Sequence, residues 1–253
     1  MHSPLIYCVG DSHTSFFSGT NNIQPEWPAL STNYYPFFKT ARLGPILAYN
    51  LCKEGAHNRG REKLFVFLKE RTPKDHILLS FGEIDCRAHL VKECYKQQRT
   101  LESVVSECVN RYFSVIKEIQ TLGFELMIYN AIPSTTSSKI PDIKDPIFGT
   151  WSERTNATKL FNEYLCDLCI ANKIYFLSIY EKLINLDGSP KKEFFMDEIH
   201  LSQRAMPLML SKLKDDFPDY DFSLLPFFGA KRRTLIFCRR IITKLRKELS
   251  SNE

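Results

Sequence analysis

Two short motifs near opposite ends of the chain hold the residue types of a serine nucleophile and its base. Gly10-Asp11-Ser12 ends an apolar run, so the serine hydroxyl would be presented where a buried strand meets a turn. Asp197 stands three residues before His200, a spacing that can turn both side chains to one side. The carboxylate would orient the imidazole, which would accept the serine proton. Each motif alone has an ordinary alternative, a helix-capping turn or a helix-entry turn with a solvated histidine.

The segments that must position these motifs alternate between strand-like apolar runs and helical patterns. Predicted strands cover residues 5–9, 76–81, 125–132 and 174–179, and predicted helices cover 97–121 and 152–172. Segments 14–44 and 134–150 lack periodicity and are predicted as loops. Short strands separated by helices favour a parallel sheet that is covered on both faces.

Polar side chains follow the ends of the predicted strands. Ser12, Asp85 and Ser134 each come after a strand end. Ligands of parallel α/β sheets bind beyond the carboxyl ends of the strands, so these side chains are expected to share one rim. The chain contains no internal repeat and no linker long enough to require a second domain. We therefore expect one α/β domain with its site at that rim.

The order and placement of the two motifs resemble the SGNH hydrolase superfamily, also called GDSL-type esterases and acyltransferases. That family opens with Gly-Asp-Ser after its first strand and closes with Asp-x-x-His before its last helix. The resemblance spans nearly the whole globular part, and implies that Ser12 is the nucleophile, His200 the base and Asp197 its orienting acid. It also implies a three-layer α/β/α fold with a mostly parallel, flavodoxin-like sheet, here assigned to residues 1–228.

Two intermediate blocks of the family supply the oxyanion hole. Leu43-Gly44-Pro45 is the candidate for the glycine N–H donor, although Gly44 fits an ordinary turn equally well. Gly82 and Asp85 match the Gly-x-Asn-Asp block, whereas Ile84 stands in the Asn position and offers no donor.

Arg87 is the nearest cation that could replace the missing donor, and we expect it to point into the pocket beside Ser12. The alternative is a structural pair between Arg87 and Asp85 or Glu83. His13 follows the nucleophile directly. Because adjacent residues of a turn rarely point the same way, we interpret His13 as a rim or packing residue.

The substrate is indicated only by resemblance. The combination of Gly-Asp-Ser-His, Leu-Gly-Pro and Gly-Glu-Ile-Asp-Cys-Arg is similar to a subgroup associated with bacterial surface-polysaccharide glycosylation machinery. An O-acylated sugar or similar small ester is then expected, cleaved by an esterase or transferred by an acyltransferase. The alternative is a non-catalytic module that binds a glycan or a protein partner. The triad chemistry needs no cofactor, and the histidines outside it lack metal-ligand spacing, so no metal is expected.

Composition indicates an ordinary globular protein. The chain of 253 residues is 43% hydrophobic and 25% charged. Its eight cysteines lack the spacing of a disulfide scaffold, and Cys166 and Cys169 fall inside a helical pattern as two small hydrophobes. Reduced thiols, the lack of a secretory signal and the lack of ~18 uninterrupted apolar residues lead us to expect a cytoplasmic protein.

The basic excess of the chain lies in one terminal segment. Residues 231–253 contain eight basic and two acidic residues, and the net charge of the whole chain is only +5. Residues 229–253 are therefore expected to form a basic amphipathic helix. Its segment 231–249 either packs on the domain or binds an anionic membrane surface, so a location peripheral to the membrane stays open. Nucleic acid is not expected, because Phe237 is the only aromatic residue of that segment.

Overall fold

Five parallel strands form one sheet in a computed structural model that describes residues 5–73, 75–138 and 147–218. The strand order is β2-β1-β3-β4-β5, and every neighbouring pair is parallel. The strands are β1 (Ile6–Gly10), β2 (Phe38–Arg42), β3 (His76–Ser80), β4 (Glu125–Tyr129) and β5 (Tyr175–Leu177). The α-helices of the described residues are α1 (Gly60–Lys69), α2 (Leu90–Gln97), α3 (Leu101–Thr121), α4 (Trp151–Ala171) and α5 (Met206–Asp216).

The predicted single α/β domain with a parallel sheet is confirmed, but the prediction of residues 14–44 as one irregular segment is wrong. That segment contains β2, whose sequence Phe-Lys-Thr-Ala-Arg lacks a continuous apolar run. An edge strand needs no such run, because Lys39 is exposed to water while Phe38 and Ala41 are buried. Strands β4 and β5 are also shorter than predicted.

Both faces of the sheet are covered because alternate strand residues point to opposite sides. One face packs against α1, α3 and α4, and its buried strand residues are Val9, Ala41, Ile77, Leu79, Leu126 and Ile128. On the other face Phe17 belongs to a short 3-10 helix, Ser12–Ser18, that follows β1. Its ring contacts Phe38 of β2 and Tyr129 of β4, with centroid separations of 5.2 and 5.3 Å. The 3-10 helix is therefore anchored across the sheet.

The register of the three adjacent strands β2, β1 and β3 aligns the starts of three loops. Gly10 at the end of β1 is paired with Arg42 of β2 and with Ser80 of β3. Ser12, Gly44 and Gly82 each lie two residues beyond one of these paired strand ends. The three residues that the sequence assigned to catalysis or to the oxyanion hole thus leave the same edge of the sheet from adjacent strands.

The chain divides into two compact units at Met209, and residues 210–218 are the described part of the second unit. The predicted domain boundary at 228/229 and the predicted basic helix 229–253 lie outside the described residues. Within the described ranges, no helix has the length and apolarity to cross a membrane. The cysteines of those ranges are free thiols, with Cys169 buried and Cys166 half-buried.

Candidate active site

The position of Ser12 is set by a capped turn at the end of β1. Asp11 is the N-cap of the 3-10 helix, and its Oδ1 accepts a hydrogen bond of 2.9 Å from the His13 N–H. Ser12 is the first residue of that helix, so its own N–H has no acceptor within the helix. The Oγ of Ser12 lies 2.8 Å from His200 Nε2. The predicted hydrogen bond between the two ends of the chain is present.

Asp197 organises the turn that carries His200. Its Oδ1 accepts hydrogen bonds from the Ile199 N–H at 2.8 Å and from the His200 N–H at 2.7 Å. Its Oδ2 lies 2.8 Å from His200 Nδ1. One carboxylate therefore shapes the turn with one oxygen and orients the imidazole with the other. Ser12, His200 and Asp197 form an unbroken hydrogen-bonded series.

The electrostatics of this turn keep Asp197 ionised. Partial burial works against its charge, but the hydrogen bond to His200 and those from the backbone outweigh it and lower the pKa of Asp197 to about 2. The carboxylate is therefore charged at neutral pH, and it can stabilise a positive charge on the imidazole.

A small hollow, which we call the catalytic hollow, opens beside Ser12 and His200. Its lining includes Ser12, His13, Phe16, Ile23, Met196 and His200. Its interior volume is about 10 Å³. That is close to the smallest space that holds one water molecule. Among the described residues, the enclosed part of the catalytic hollow therefore has about the size of one water molecule.

Two backbone N–H groups lie just beyond the paired ends of β1 and β2. The N–H groups of Ser12 and Gly44 make no hydrogen bond to another described residue. Gly44 has φ 111°, and a Cβ there would approach the Glu26 carboxylate at 2.9 Å, so the turn requires glycine. The loop after β3 contributes no side-chain donor at the family's Asn position, because Ile84 stands there and is buried.

Gly82 follows β3, and Asp85 begins the short π-helix Asp85–His89; both have structural roles there. A Cβ at Gly82, with φ 112°, would lie 2.5 Å from the Phe161 ring. The Asp85 carboxylate is fully buried and accepts hydrogen bonds from the N–H groups of Ala48 at 2.7 Å and Tyr49 at 3.1 Å. Burial raises the pKa of Asp85 to about 7, against the effect of these two bonds. The expected substrate contact is thus corrected, because both oxygens hold a neighbouring turn.

The expectation that Arg87 points into the pocket beside Ser12 also needs correction. Arg87 is buried and its Nε donates a hydrogen bond of 2.7 Å to Glu83 Oε1. The structural pair with Glu83, the alternative left open by the sequence, is the arrangement observed. A buried guanidinium needs a nearby anion, and Glu83 is the carboxylate one helical turn before it.

The sequence did not indicate how close His13 would lie to His200. His13 is buried and its ring lies 4.9 Å from the His200 ring, centroid to centroid, with the planes 31° apart. Its Nε2 lies 3.0 Å from Glu83 Oε2. His13 is a packing residue, as expected, and it also lines the catalytic hollow. No local sequence signal could have found this arrangement, because His13 and Glu83 are 70 residues apart in the sequence.

Comparison with known families gives one match over most of the chain. A family model described as GDSL-like lipase/acylhydrolase matches residues 6–213. A search of curated protein sequences finds no match.

Solved structures share the fold at low sequence identity. An aryl esterase from M. smegmatis has a TM-score of 0.52 and 14% identity, with 86% of this chain and 100% of that chain covered. A protein from Streptococcus pneumonia, named for platelet activating factor, has a TM-score of 0.54 and 17% identity, with 85% and 84% covered. At such identities the similarity concerns the fold alone.

Proposed function

The chain belongs to the GDSL-like lipase/acylhydrolase family, and we propose that it is a serine esterase that uses Ser12 as its nucleophile. The observation that carries this proposal is the hydrogen-bonded series from Ser12 to His200 to Asp197, with both separations at 2.8 Å. It lies at the carboxyl end of a parallel sheet, where ligands of such folds bind.

The first half of the proposed reaction forms an acyl-enzyme. His200 Nε2 takes the proton of the Ser12 hydroxyl while Oγ attacks the carbonyl carbon of the ester. The backbone N–H groups of Ser12 and Gly44 stabilise the negative charge that develops on the carbonyl oxygen. The bond to the leaving oxygen then breaks, and His200 gives its proton to the leaving alcohol. Asp197 stays ionised throughout and stabilises the imidazolium.

The second half releases the acyl group. His200 takes a proton from water, and the resulting hydroxide attacks the acyl carbon of the intermediate. The bond to Ser12 Oγ breaks, the carboxylic acid leaves, and the serine regains its proton from His200. If the hydroxyl of a second molecule replaces water, the same residues carry out acyl transfer. Hydrolase and acyltransferase therefore share every catalytic group proposed here.

A short acyl group on a carbohydrate is the proposed substrate. The volume of about 10 Å³ in the catalytic hollow supports an acetyl-like group. The carbohydrate part rests on the resemblance of the motifs to proteins of bacterial surface-polysaccharide machinery. A panel of p-nitrophenyl esters of increasing chain length, together with O-acetylated sugars, tests both parts. We expect kcat/KM to fall as the acyl chain lengthens, and a preference for long chains would contradict the short-acyl proposal.

The role of Ser12 is tested by Ser12→Ala, with Ser114→Ala as the matched control on an exposed face of α3. We expect Ser12→Ala to lower kcat by roughly a thousandfold or more, since residues of a triad act as a unit. Ser114→Ala should retain wild-type activity. An active Ser12→Ala protein would contradict the proposal.

A second candidate is a non-catalytic module that binds a glycan or a partner, and Ile84 in place of the oxyanion Asn is the feature that favours it. Such a protein would bind O-acetylated sugars without releasing acetate. Its affinity would be equal in the wild type and in Ser12→Ala.

A further inference from the structure

A buried series of polar side chains, which we call the His13 series, lies beside the proposed triad and has no role in the reaction steps above. It consists of Arg87, Glu83 and His13, each with no more than 6% of its area exposed. Arg87 Nε donates to Glu83 Oε1 at 2.7 Å, and Glu83 Oε2 lies 3.0 Å from His13 Nε2. The series ends at the His13 ring, 4.9 Å from the ring of His200.

The charged and titratable groups around His13 come from three segments. Asp11 precedes the 3-10 helix, Glu83 and Arg87 lie in the helical segment that follows β3, and His200 lies in the turn organised by Asp197. Asp11 Oδ1 accepts the His13 N–H, while its buried Oδ2 has no hydrogen-bond partner among the described residues. Two carboxylates therefore face a histidine that has been removed from water.

The balance of these groups favours the charged form of His13. Burial alone would lower the pKa of His13, but Asp11 and Glu83 outweigh it and raise the pKa above its ordinary value, with Arg87 opposing them. Burial would raise the pKa of Glu83, yet Arg87 and His13 lower it to about 2. Glu83 is thus a fixed anion, and it can hold a proton on His13 Nε2.

We propose that His13 is a positioning residue for His200, which the Glu83–Arg87 pair holds as a protonated ring against the catalytic imidazole. The inference rests on the proposed function, because it concerns the base of that reaction. The His13 ring limits the rotation of the His200 ring, so that Nε2 stays directed at Ser12. Its positive charge faces the ring that takes the serine proton during the proposed reaction.

The same charge acts on the later proton transfer. Once His200 has taken the serine proton, a neighbouring cation favours release of that proton to the leaving alcohol. Release of that proton matters most when the leaving group is a poorly acidic sugar hydroxyl.

The pH profile of kcat/KM separates this role from simple packing. His13→Phe keeps an aromatic ring and loses the charge, while His13→Gln keeps a donor for Glu83 and also loses the charge. We expect the acidic limb of both variants to move up by about one pH unit, because the nearest cation is gone while the Asp11 and Glu83 carboxylates remain. His57→Phe, at an exposed loop position, is the matched control and should leave the profile unmoved.

Failure of the inference and failure of the proposed function give different results. If the wild type hydrolyses no ester, the proposed function fails. If the wild type is active and the folded His13→Phe or His13→Gln protein has the wild-type acidic limb, the inference is overturned. The protonation of His13 is checked without activity by NMR titration of the Cε1–H signal that is lost in both variants. An imidazolium at pH 7 supports the inference, and a neutral ring at pH 7 overturns it.

Discussion

At the scale of single residues, Asp197 has two tasks that one substitution separates. Asn in its place can still accept a backbone N–H with its oxygen, but its amide group cannot accept the His200 Nδ1–H. The imidazole is then free to take the wrong tautomer. We expect Asp197→Asn to lower kcat between about 100-fold and 10,000-fold with little change in KM.

The kinetics of a soluble short-chain ester measure this effect. Asp187→Asn is the control, because Asp187 also accepts hydrogen bonds within an exposed turn, from the N–H and hydroxyl of Ser189. A value of kcat for Asp197→Asn within tenfold of the wild type would show that Asp197 does not orient the base.

Asp85 gives a prediction about stability and pH. Its pKa is raised by burial to about 7, above the ordinary value of 3.8. A raised carboxyl pKa favours the folded state below the unfolded value, and this contribution is lost as the pH rises through the folded value. The unfolding free energy of the wild type should therefore fall by a few kcal/mol between about pH 4 and pH 8, relative to that of Asp85→Asn.

Denaturant unfolding of both proteins across this pH range is the measurement. Because Asn cannot ionise, the dependence of unfolding free energy on pH in Asp85→Asn lacks the contribution of the Asp85 carboxyl group. If the difference between the two proteins is constant with pH, or grows in favour of the wild type as the pH rises, the raised pKa of Asp85 is refuted.

At the scale of elements, a buried arginine holds the loop after β4, and that loop in turn contacts the turn that carries His200. Arg154 of α4 donates to Ser134 Oγ at 3.1 Å and to the carbonyl oxygens of Thr135 and Ser137 at 2.8 and 3.0 Å. The hydroxyls of Thr135 and Ser137 donate to Glu198 Oε2 at 2.8 and 2.6 Å. Glu198 directly follows Asp197, so Arg154 supports the turn that carries His200.

Arg154→Lys tests this support. Lysine keeps the positive charge, but its single ammonium group cannot reach the separate acceptors that the guanidinium binds. Buried carbonyl oxygens therefore lose their donors. We expect a loss of roughly 2–3 kcal/mol in unfolding free energy, with a lower kcat in the protein that remains folded. Arg204→Lys, at an exposed position, is the control for thermal unfolding and for kinetics. Equal stability of Arg154→Lys and the wild type would contradict the role assigned to Arg154.

The sequence predicted those elements that bury an apolar run. β1 and β3 are such runs, so their carboxyl ends could be placed beside Ser12 and Asp85. β2 was missed because an edge strand can carry Lys39 and Arg42. The register that pairs Gly10 with both Arg42 and Ser80 could not be predicted, because it depends on pairing between distant segments.

The sequence predicted only part of the candidate site. Ser12, Asp197 and His200 each belong to a motif whose spacing is local, whereas His13 and Glu83 meet only through the fold. The expected position of Arg87 was wrong because the sequence alone does not show which acceptor a buried guanidinium binds.

At the scale of the whole molecule, the basic excess of the chain lies in residues 231–249, which are outside the described residues. Binding of this segment to an anionic membrane surface therefore stays a prediction. Its basic side chains should bind anionic vesicles, and salt should weaken the binding because it screens exposed charges. Replacing Arg239, Arg240 and Lys244 by Gln should reduce co-sedimentation with phosphatidylserine vesicles and spare hydrolysis of a soluble ester.

A second triple variant, which loses three positive charges elsewhere on the chain, is the control for vesicle binding. Lys92, Lys96 and Lys173 are exposed, and replacing all three by Gln should leave vesicle binding near the wild-type level. Equal binding of the two triple variants and the wild type would contradict the membrane prediction, as would equal binding to neutral vesicles.

The central claim is that Ser12 is a nucleophile activated by His200, and covalent labelling tests it most directly. A fluorophosphonate reacts when a serine Oγ forms a bond to phosphorus and fluoride leaves, and it needs no knowledge of the natural substrate. We predict one adduct per wild-type chain, located by peptide mass spectrometry at Ser12. The adduct should be absent in Ser12→Ala and should form far more slowly in His200→Ala. A folded wild-type protein that takes no label, or takes it at another serine, would contradict the claim.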